Sequence, residues 1–263
     1  MTSPASRLRD LILERRPVIG TFISTPSAEI VEMLGLAGFD FGVIDLEHGY
    51  FGTESIADML RAAELRGLAA LVRVPQESGE QVGKSLDLGA AGIVVPGIRS
   101  LDDARRMLAL MRYPPHGVRG AHLSTRHLRY SVDGFGAHAA DPLQRPFTVL
   151  QIEAALPSAD IDAIASLPGL DVLFIGINDL ANSLGLPGMF EHPKVQAVVE
   201  TIIECGQRHG VGLGLWIREP AGAARVAARG FQFIAISNNE LLFFEAAKGL
   251  AEAARTSLAQ FKE

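Results

Sequence analysis

Cysteine is almost absent from this chain. Cys205 is the only one among 263 residues, so no disulfide closes within the chain. Its place in TIIECGQRHG, on a predicted helix, reads as packing rather than nucleophilic chemistry. Positive charge is not in excess either: the net charge is -6, the pI is near 5.7 and the arginines are scattered, which leaves no electrostatic footprint for nucleic acid. Long apolar runs are missing too. MTSPASRLRDLILERRP is broken by charge before a signal-peptide core develops, and no later stretch reaches the ~18 apolar residues of a membrane helix. The expectation is a cytoplasmic protein with no membrane partner. Lysine is confined to Lys84, Lys194, Lys248 and Lys262, all on predicted helices or the tail. Chemistry through a protein imine needs an amine inside the core, so that chemistry is disfavoured. G-x-S-x-G, P-loop and Rossmann glycine signatures do not occur.

What the chain does have is apolar mass and a rhythm. With 48% hydrophobic residues it can fill one large core, and residues 1–263 are expected to form a single domain. Short β-branched runs alternate with amphipathic stretches: VIGTFI, FGVID, ALVRV, GIVVP, FTVLQI, VLFIGI, GLGLWI and FQFIAI read as strands. The stretches SAEIVEMLGLAG, TESIADMLRAAELRG, SLDDARRMLALMR and HPKVQAVVETIIECGQRHG read as helices, the second and fourth stopping at glycine. Eight such alternations predict an α/β fold closed as a (β/α)8 TIM barrel, with an open doubly wound sheet as the alternative. Residues 112–146 break the rhythm with Gly, Pro, His and Arg, and are expected to fold over a site. The first residues and the final SLAQFKE are expected to fray or to engage another subunit.

Polar residues gather at the ends of the predicted strands, where a barrel builds its active site. They are Asp45, Glu47 and His48 of IDLEHG, Arg73 of VRVP, Gln151 and Glu153 of QIEAA, and Asp179 of GINDL. Singly, each has a bland reading: Arg73 as an ion-pair partner, Asp45 as a turn residue, Glu153 and Asp179 as helix caps. Two carboxylates at strand mouths, costly to bury unpaired, suit a hard divalent cation such as Mg²⁺ or Mn²⁺.

GFDFGVIDLEHG, LVRVP, LDLGAAGIVVPGI, RYPPHGVRG, QIEAA and LPGLDVLFIGINDLANSLG together resemble, in order and in register, the HpcH/HpaI family of class II pyruvate aldolases. The resemblance implies a barrel of the phosphoenolpyruvate/pyruvate type with a Mg²⁺, Mn²⁺ or Co²⁺ ion. The activity it implies is reversible cleavage of a 4-hydroxy-2-oxo acid to pyruvate and an aldehyde through a metal-stabilised pyruvate enolate. Position by position, it assigns the metal to Glu153 and Asp179, the keto oxygen and enolate to Arg73, and pyruvate contact to Gln151. Proton handling falls to His48 with Asp45 and Asp87, the last of these near the histidine across a subunit boundary. The backbone of GIND, Gly176 and Asn178 included, would receive the pyruvate carboxylate.

This chain departs from the family pattern at Ala154, Ile177 and Asn178, and in the bulkier segment 117–138, whose His122, Arg126 and His127 are expected to meet the aldehyde tail at the pocket mouth. The apolar NELLFFEAAKGLAEAA and the resemblance together imply a homo-oligomer, hexamer-like, that exchanges a terminal helix. Two competing readings are a CoA-thioester lyase of the citramalyl-CoA or malyl-CoA type on a related barrel, and a non-catalytic 2-oxo-acid binding protein.

Overall fold

The computed structural model describes residues 3–261 except 77, 132, 134, 142 and 143, so Lys262 lies outside the described residues. In chain order the elements are α1 (Pro4–Leu13), β1 (Val18–Ile23), α2 (Ala28–Leu36), β2 (Phe41–Asp45), α3 (Thr53–Arg66), β3 (Ala69–Arg73), α4 (Gly79–Asp87), β4 (Gly92–Ile98), α5 (Leu101–Leu110), α6 (Phe135–Ala140), β5 (Phe147–Ile152), α7 (Ser158–Ala165), β6 (Val172–Ile175), α8 (Ile177–Ser183), α9 (Pro193–His209), β7 (Gly212–Ile217), α10 (Ala223–Ala228), β8 (Phe233–Asn238) and α11 (Asn239–Gln260). The strands pair in sequence order, all parallel, and β8 returns to β1, so the sheet closes into a (β/α)8 barrel. The open-sheet alternative is thereby excluded. α3 and α9 stop at Gly67 and Gly210, both left-handed at φ 67° and 72°, as their sequences signal.

Side chains of a strand alternate in direction, and the barrel uses both sets. Outward residues such as Ile23, Ile44, Val72, Ile93, Leu150 and Leu173 meet the helices in one buried cluster. Inward residues form a second cluster inside the barrel, where Phe41 stacks on Phe233 with ring centroids 3.8 Å apart and Phe147 and Phe174 complete the filling. Continuing the inward column two residues up each strand gives Asp45 after Val43, Arg73 after Leu71 and Gln151 after Val149. The polar rim is therefore the upper end of the same alternation that fills the core.

From residue 3 onward the N-terminal segment does not fray. Ser3 caps α1 by accepting from the Ser6 N–H at 3.1 Å, Pro4 opens the helix, and Leu8 and Ile12 are buried in the inner cluster, so α1 plugs the barrel at the end where the strands begin. Arg9 fastens it through Asp171 at 3.0 Å and the carbonyls of Arg145 and Pro146. α11 is different. Of its residues only Asn239 is buried, holding the Ser24 N–H at 2.8 Å, while Phe243, Phe244 and Leu250 are 78, 60 and 74% exposed. A helix that offers this much apolar surface to water has not found its packing partner within its own chain.

Candidate active site

At the rim where the strands end, Arg73 is the centre of a charged network. Asp45 and Arg73 are in register across β2 and β3. The Arg73 guanidinium meets Asp45 with two parallel hydrogen bonds, Nε to Oδ1 at 2.8 Å and Nη2 to Oδ2 at 2.6 Å, while Nη1 lies 3.2 Å from Glu47. The Phe22 ring lies beneath it, 4.8 Å from centroid to Cζ. Burial works against the Arg73 charge, but the hydrogen bonds and charges of Asp45, then Glu47 and Glu153, hold it protonated and above its ordinary value. Asp45 Oδ1 also accepts from the backbone of Glu47 and His48, at 3.1 and 3.4 Å. Asp45 thus orients Arg73 and the turn after β2 rather than the His48 ring. His48 itself is 70% exposed in its side chain, with Nε2 3.9 Å from Glu47.

Glu153 sits just past β5 and does not cap α7, whose N-cap is Pro157 without a side-chain bond. Its two oxygens are held separately: Gln151 Nε2 donates to Oε1, and the Gly97 N–H donates to Oε2 at 2.8 Å. Gly97 is left-handed at φ 64°, at a register shift between β4 and β5, and the strand expected to end at residue 96 instead runs on to Ile98. Gly176 makes room from the other side, since a Cβ there would stand 2.6 Å from Glu153 Cγ. Burial first, then the charges of Glu47 and Asp179, push the Glu153 carboxyl up to about 7. Glu47 is raised as well, by burial, with Arg73 opposing. Arg73 is the one guanidinium recorded against these crowded carboxylates and does not offset their burial, and among the described residues Gln151 Oε1 is buried with no hydrogen-bond partner. A divalent cation fits that donor set. Among the described residues no three His, Cys, Asp or Glu converge on one point, so such an ion would take two protein carboxylates and complete its shell from water and substrate oxygens.

Two sequence expectations change at β6. The strand stops at Ile175 and α8 begins at Ile177, so Asp179 belongs to the first turn of a helix whose N-cap is Gly176. A carboxylate there is favoured by the helix dipole and is not the cap itself. The Gly176 N–H donates to the Ile152 carbonyl at 3.1 Å, so it cannot also serve a substrate carboxylate. The amides of Ile177 and Asn178, in the first turn, have no intrahelical partner.

Asp87 does not join the site. It is the last residue of α4, which runs back against the strands, so it lies at the opposite end of the barrel from His48 and pairs with Arg119 Nη2 at 2.8 Å. Within one chain the two cannot meet. The same topology corrects segment 117–138. It connects α5 to the start of β5, whereas Gln151 and Glu153 stand at that strand's far end, so it does not cover its own pocket mouth. Arg126 is committed to Glu64 and the Leu88 carbonyl, and His127 to His138 at 2.9 Å. Residues 132 and 134 of this segment lie outside the described residues. Sequence reasoning gave no role to Glu47, Gly97 or Phe22. It also passed over Trp216, whose indole donates to the carbonyl of left-handed Ser237 at 2.8 Å beside the inner cluster. The Pro96–Gly97 pair and the inward period of β1 and β7 were the available signals.

The comparisons bear on the whole barrel. The HpcH/HpaI aldolase/citrate lyase model matches residues 18–246. A 2-dehydro-3,6-dideoxy-6-sulfogluconate aldolase of Pseudomonas putida is 31% identical over 88% of this chain and 90% of its own length. A hydroxypyruvate/pyruvate aldolase of Paraburkholderia phytofirmans is 30% identical over 97% of this chain and 100% of its own. The crystal structure of an HpcH/HpaI aldolase/citrate lyase family protein from Burkholderia cenocepacia superposes with a TM-score of 0.88 at 29% identity, covering 95% of this chain and 99% of that one.

Proposed function

The chain belongs to the HpcH/HpaI aldolase/citrate lyase family, and from that premise we propose that it is a carbon–carbon lyase releasing pyruvate and an aldehyde from a 4-hydroxy-2-oxo acid. The observation that carries this reading is a buried, charged Arg73 facing the crowded carboxylates of Glu47, Glu153 and Asp179. Glu153 and Asp179 would hold a Mg²⁺, Mn²⁺ or Co²⁺ ion, which supplies Lewis acidity toward the oxygens of a bound 2-oxo acid.

The chain's own residues do the rest. Arg73, aligned by Asp45, places positive charge where the enolate oxygen develops. Gln151 and the amide of Asn178 are the polar contacts to the 2-oxo acid. His48 carries the proton of the 4-hydroxyl, because its imidazole stands at this rim with its ring open to solvent. Both relatives are named for 2-oxo acids, and Ala154, Ile177 and Asn178 are the positions near the metal carboxylates where this chain sets its own substrate range. Among the described residues no lysine lies on a barrel strand, which removes the imine route. The test is exchange of pyruvate methyl protons into D₂O after chelation and after add-back of each cation. Loss and recovery are expected, while a lysine adduct trapped by borohydride would overturn the assignment.

The exposed apolar face of α11 supports a homo-oligomer, hexamer-like by family resemblance, in which a second subunit covers that helix. Only across such a boundary does Asp87 reach His48. Sedimentation at micromolar concentration should give a species well above 28.1 kDa, and Phe243→Asp with Phe244→Asp should dissociate it. A monomeric wild type sinks this part of the reading.

A further inference from the structure

At the end of the barrel opposite the active-site carboxylates, Arg9, Arg112 and Arg145 gather about Asp171, which among the described residues is the one carboxylate recorded in an ion pair with this group. Asp171, 6% exposed, receives Arg9 Nε at 3.0 Å and Arg145 Nη1 and Nη2 at 2.8 and 2.6 Å, and its Oδ2 also takes the Thr148 N–H at 2.9 Å. Its acceptor capacity is spent. Arg112 lies beside this group, and among the described residues it pairs with no carboxylate; its Nη2 donates to the Pro168 carbonyl. The guanidinium is seated across Gly169, where any Cβ would overlap it. Burial and the neighbouring Arg145 charge push the Arg112 guanidinium below its ordinary value. Cations pressed together in a partly buried site are costly unless an anion answers them.

A cavity of about 260 Å³ opens against these groups, lined by Arg112, Arg119, Arg145, Tyr113, His138 and Asp141. Arg119 is 5% exposed and stacked over Tyr113, with Cζ 4.7 Å from the ring centroid; its Nη2 serves Asp87, and its Nε is buried with no hydrogen-bond partner. Asp141 is the acid among the lining residues, and its charge acts on His138. Met111, Pro146 and Ala139 give the remaining wall an apolar character. The volume falls below the usual range for drug-sized ligands, which limits the occupant to a few carbons.

We propose that this cavity binds a small organic anion, a carboxylate or phosphate group on a short carbon skeleton, with Arg112 as its main anchor and Arg119 Nε as a second donor. The site is separate from the rim of Arg73 and Glu153 and does not rest on the aldolase reading. Bound at the end of the barrel that serves stability, the anion relieves the repulsion among Arg112, Arg145 and Arg9. Occupancy should raise the thermal midpoint without competing with pyruvate.

The test is calorimetric titration of the full-length protein with inorganic phosphate and, separately, with succinate, in wild type, Arg112→Gln and Arg73→Ala. The expected result is that at least one probe binds wild type and Arg73→Ala alike and binds Arg112→Gln at least tenfold more weakly. Binding of phosphate alone assigns the site to phosphoryl groups, and binding of succinate alone to carboxylates. Ala139→Leu narrows the cavity with every charge in place and should also weaken binding, which keeps the test decisive if Arg112→Gln folds poorly. Absence of binding by both probes at millimolar concentration, binding that survives Arg112→Gln and Ala139→Leu, or binding lost in Arg73→Ala would each overturn the proposal.

Discussion

The two ends of the barrel are charged in opposite senses. Where the strands end, the carboxylates of Asp45, Glu47, Glu153 and Asp179 surround the single guanidinium of Arg73. Where they begin, the guanidiniums of Arg9, Arg112 and Arg145 gather about the carboxylate of Asp171. Burying like charges is unfavourable at either end, yet the consequences differ. At the lower end α1 plugs the barrel interior, so the ion pairs of Arg9 and Arg145 with Asp171 hold structure together. The upper end is open, so its unbalanced negative charge is available to a cation and a substrate. A charge cluster is read by what seals it as much as by its sign.

Substitutions that neutralise one end at a time should separate these roles. The largest effect is expected for Glu153→Gln, which should remove pyruvate proton exchange, a loss of several kcal/mol in transition-state stabilisation. Its folding stability should hold or rise, since a buried charge crowded by Glu47 and Asp179 disappears. Urea unfolding of the metal-free variant checks the second half. A marked drop in midpoint would mean that the upper end is structural too.

At the lower end Asp171→Ala should do the reverse, costing ~3–5 kcal/mol of stability because it strands buried guanidiniums. Protein that remains folded should exchange pyruvate protons at the wild-type rate. Slow exchange in a fully folded Asp171→Ala sample would join the two ends functionally and end the comparison.

Arg73→Ala tests the one residue placed in both categories, for it is a buried ion-pair partner as well as a proposed enolate ligand. We expect a loss of ~2.7–4 kcal/mol in exchange, together with a stability cost from leaving Asp45 unpaired. Adding Asp45→Asn should recover stability and not exchange. Recovery of both by the double variant would reduce Arg73 to a structural role.

How much of this was legible in the sequence depended on whether a residue's placement followed from period or from topology. Asp45, Arg73 and Gln151 continue the alternation that fills the barrel, so their gathering could be read from the strands themselves. The start of α8 could not, because its N-cap is Gly176 and no side chain announces the helix. α1 carried its signal in Ser3 and Pro4, but Arg7, Arg9 and Asp10 masked the apolar stripe of Leu8 and Ile12. The misplacement of segment 117–138 was topological. A connection from a helix to the next strand returns to the beginning of that strand, whatever the chemistry of its side chains, and for the same reason Asp87 stands away from His48 within one chain.

The smallest predicted effect sets the two ends against each other in one titration. At the lower end, burial first, then Arg119 and His138, lower His127 from 6.5 to about 3. Between those values the unfolded chain binds a proton that the native state refuses, so stability is present above pH 6.5 and is lost as pH falls toward 3. At the upper end Glu153 is raised from 4.5 to about 7, so in metal-free protein the native state keeps a proton that the unfolded chain has released, and stability is lost as pH rises through that window. Each single group contributes a slope of at most about 1.4 kcal/mol per pH unit, and between pH 4.5 and 6.5 the two oppose. Metal-free wild type should therefore show a shallow profile there. His127→Phe should tilt it toward acid stability, and Glu153→Gln should tilt it toward alkaline stability. Saturating Mg²⁺ should act on the wild type as Glu153→Gln does, because a cation replaces the proton. Thermal midpoints measured at intervals across this range decide the matter. If His127→Phe and Glu153→Gln tilt the profile the same way, the two ends are not electrostatically opposed as the structure describes them.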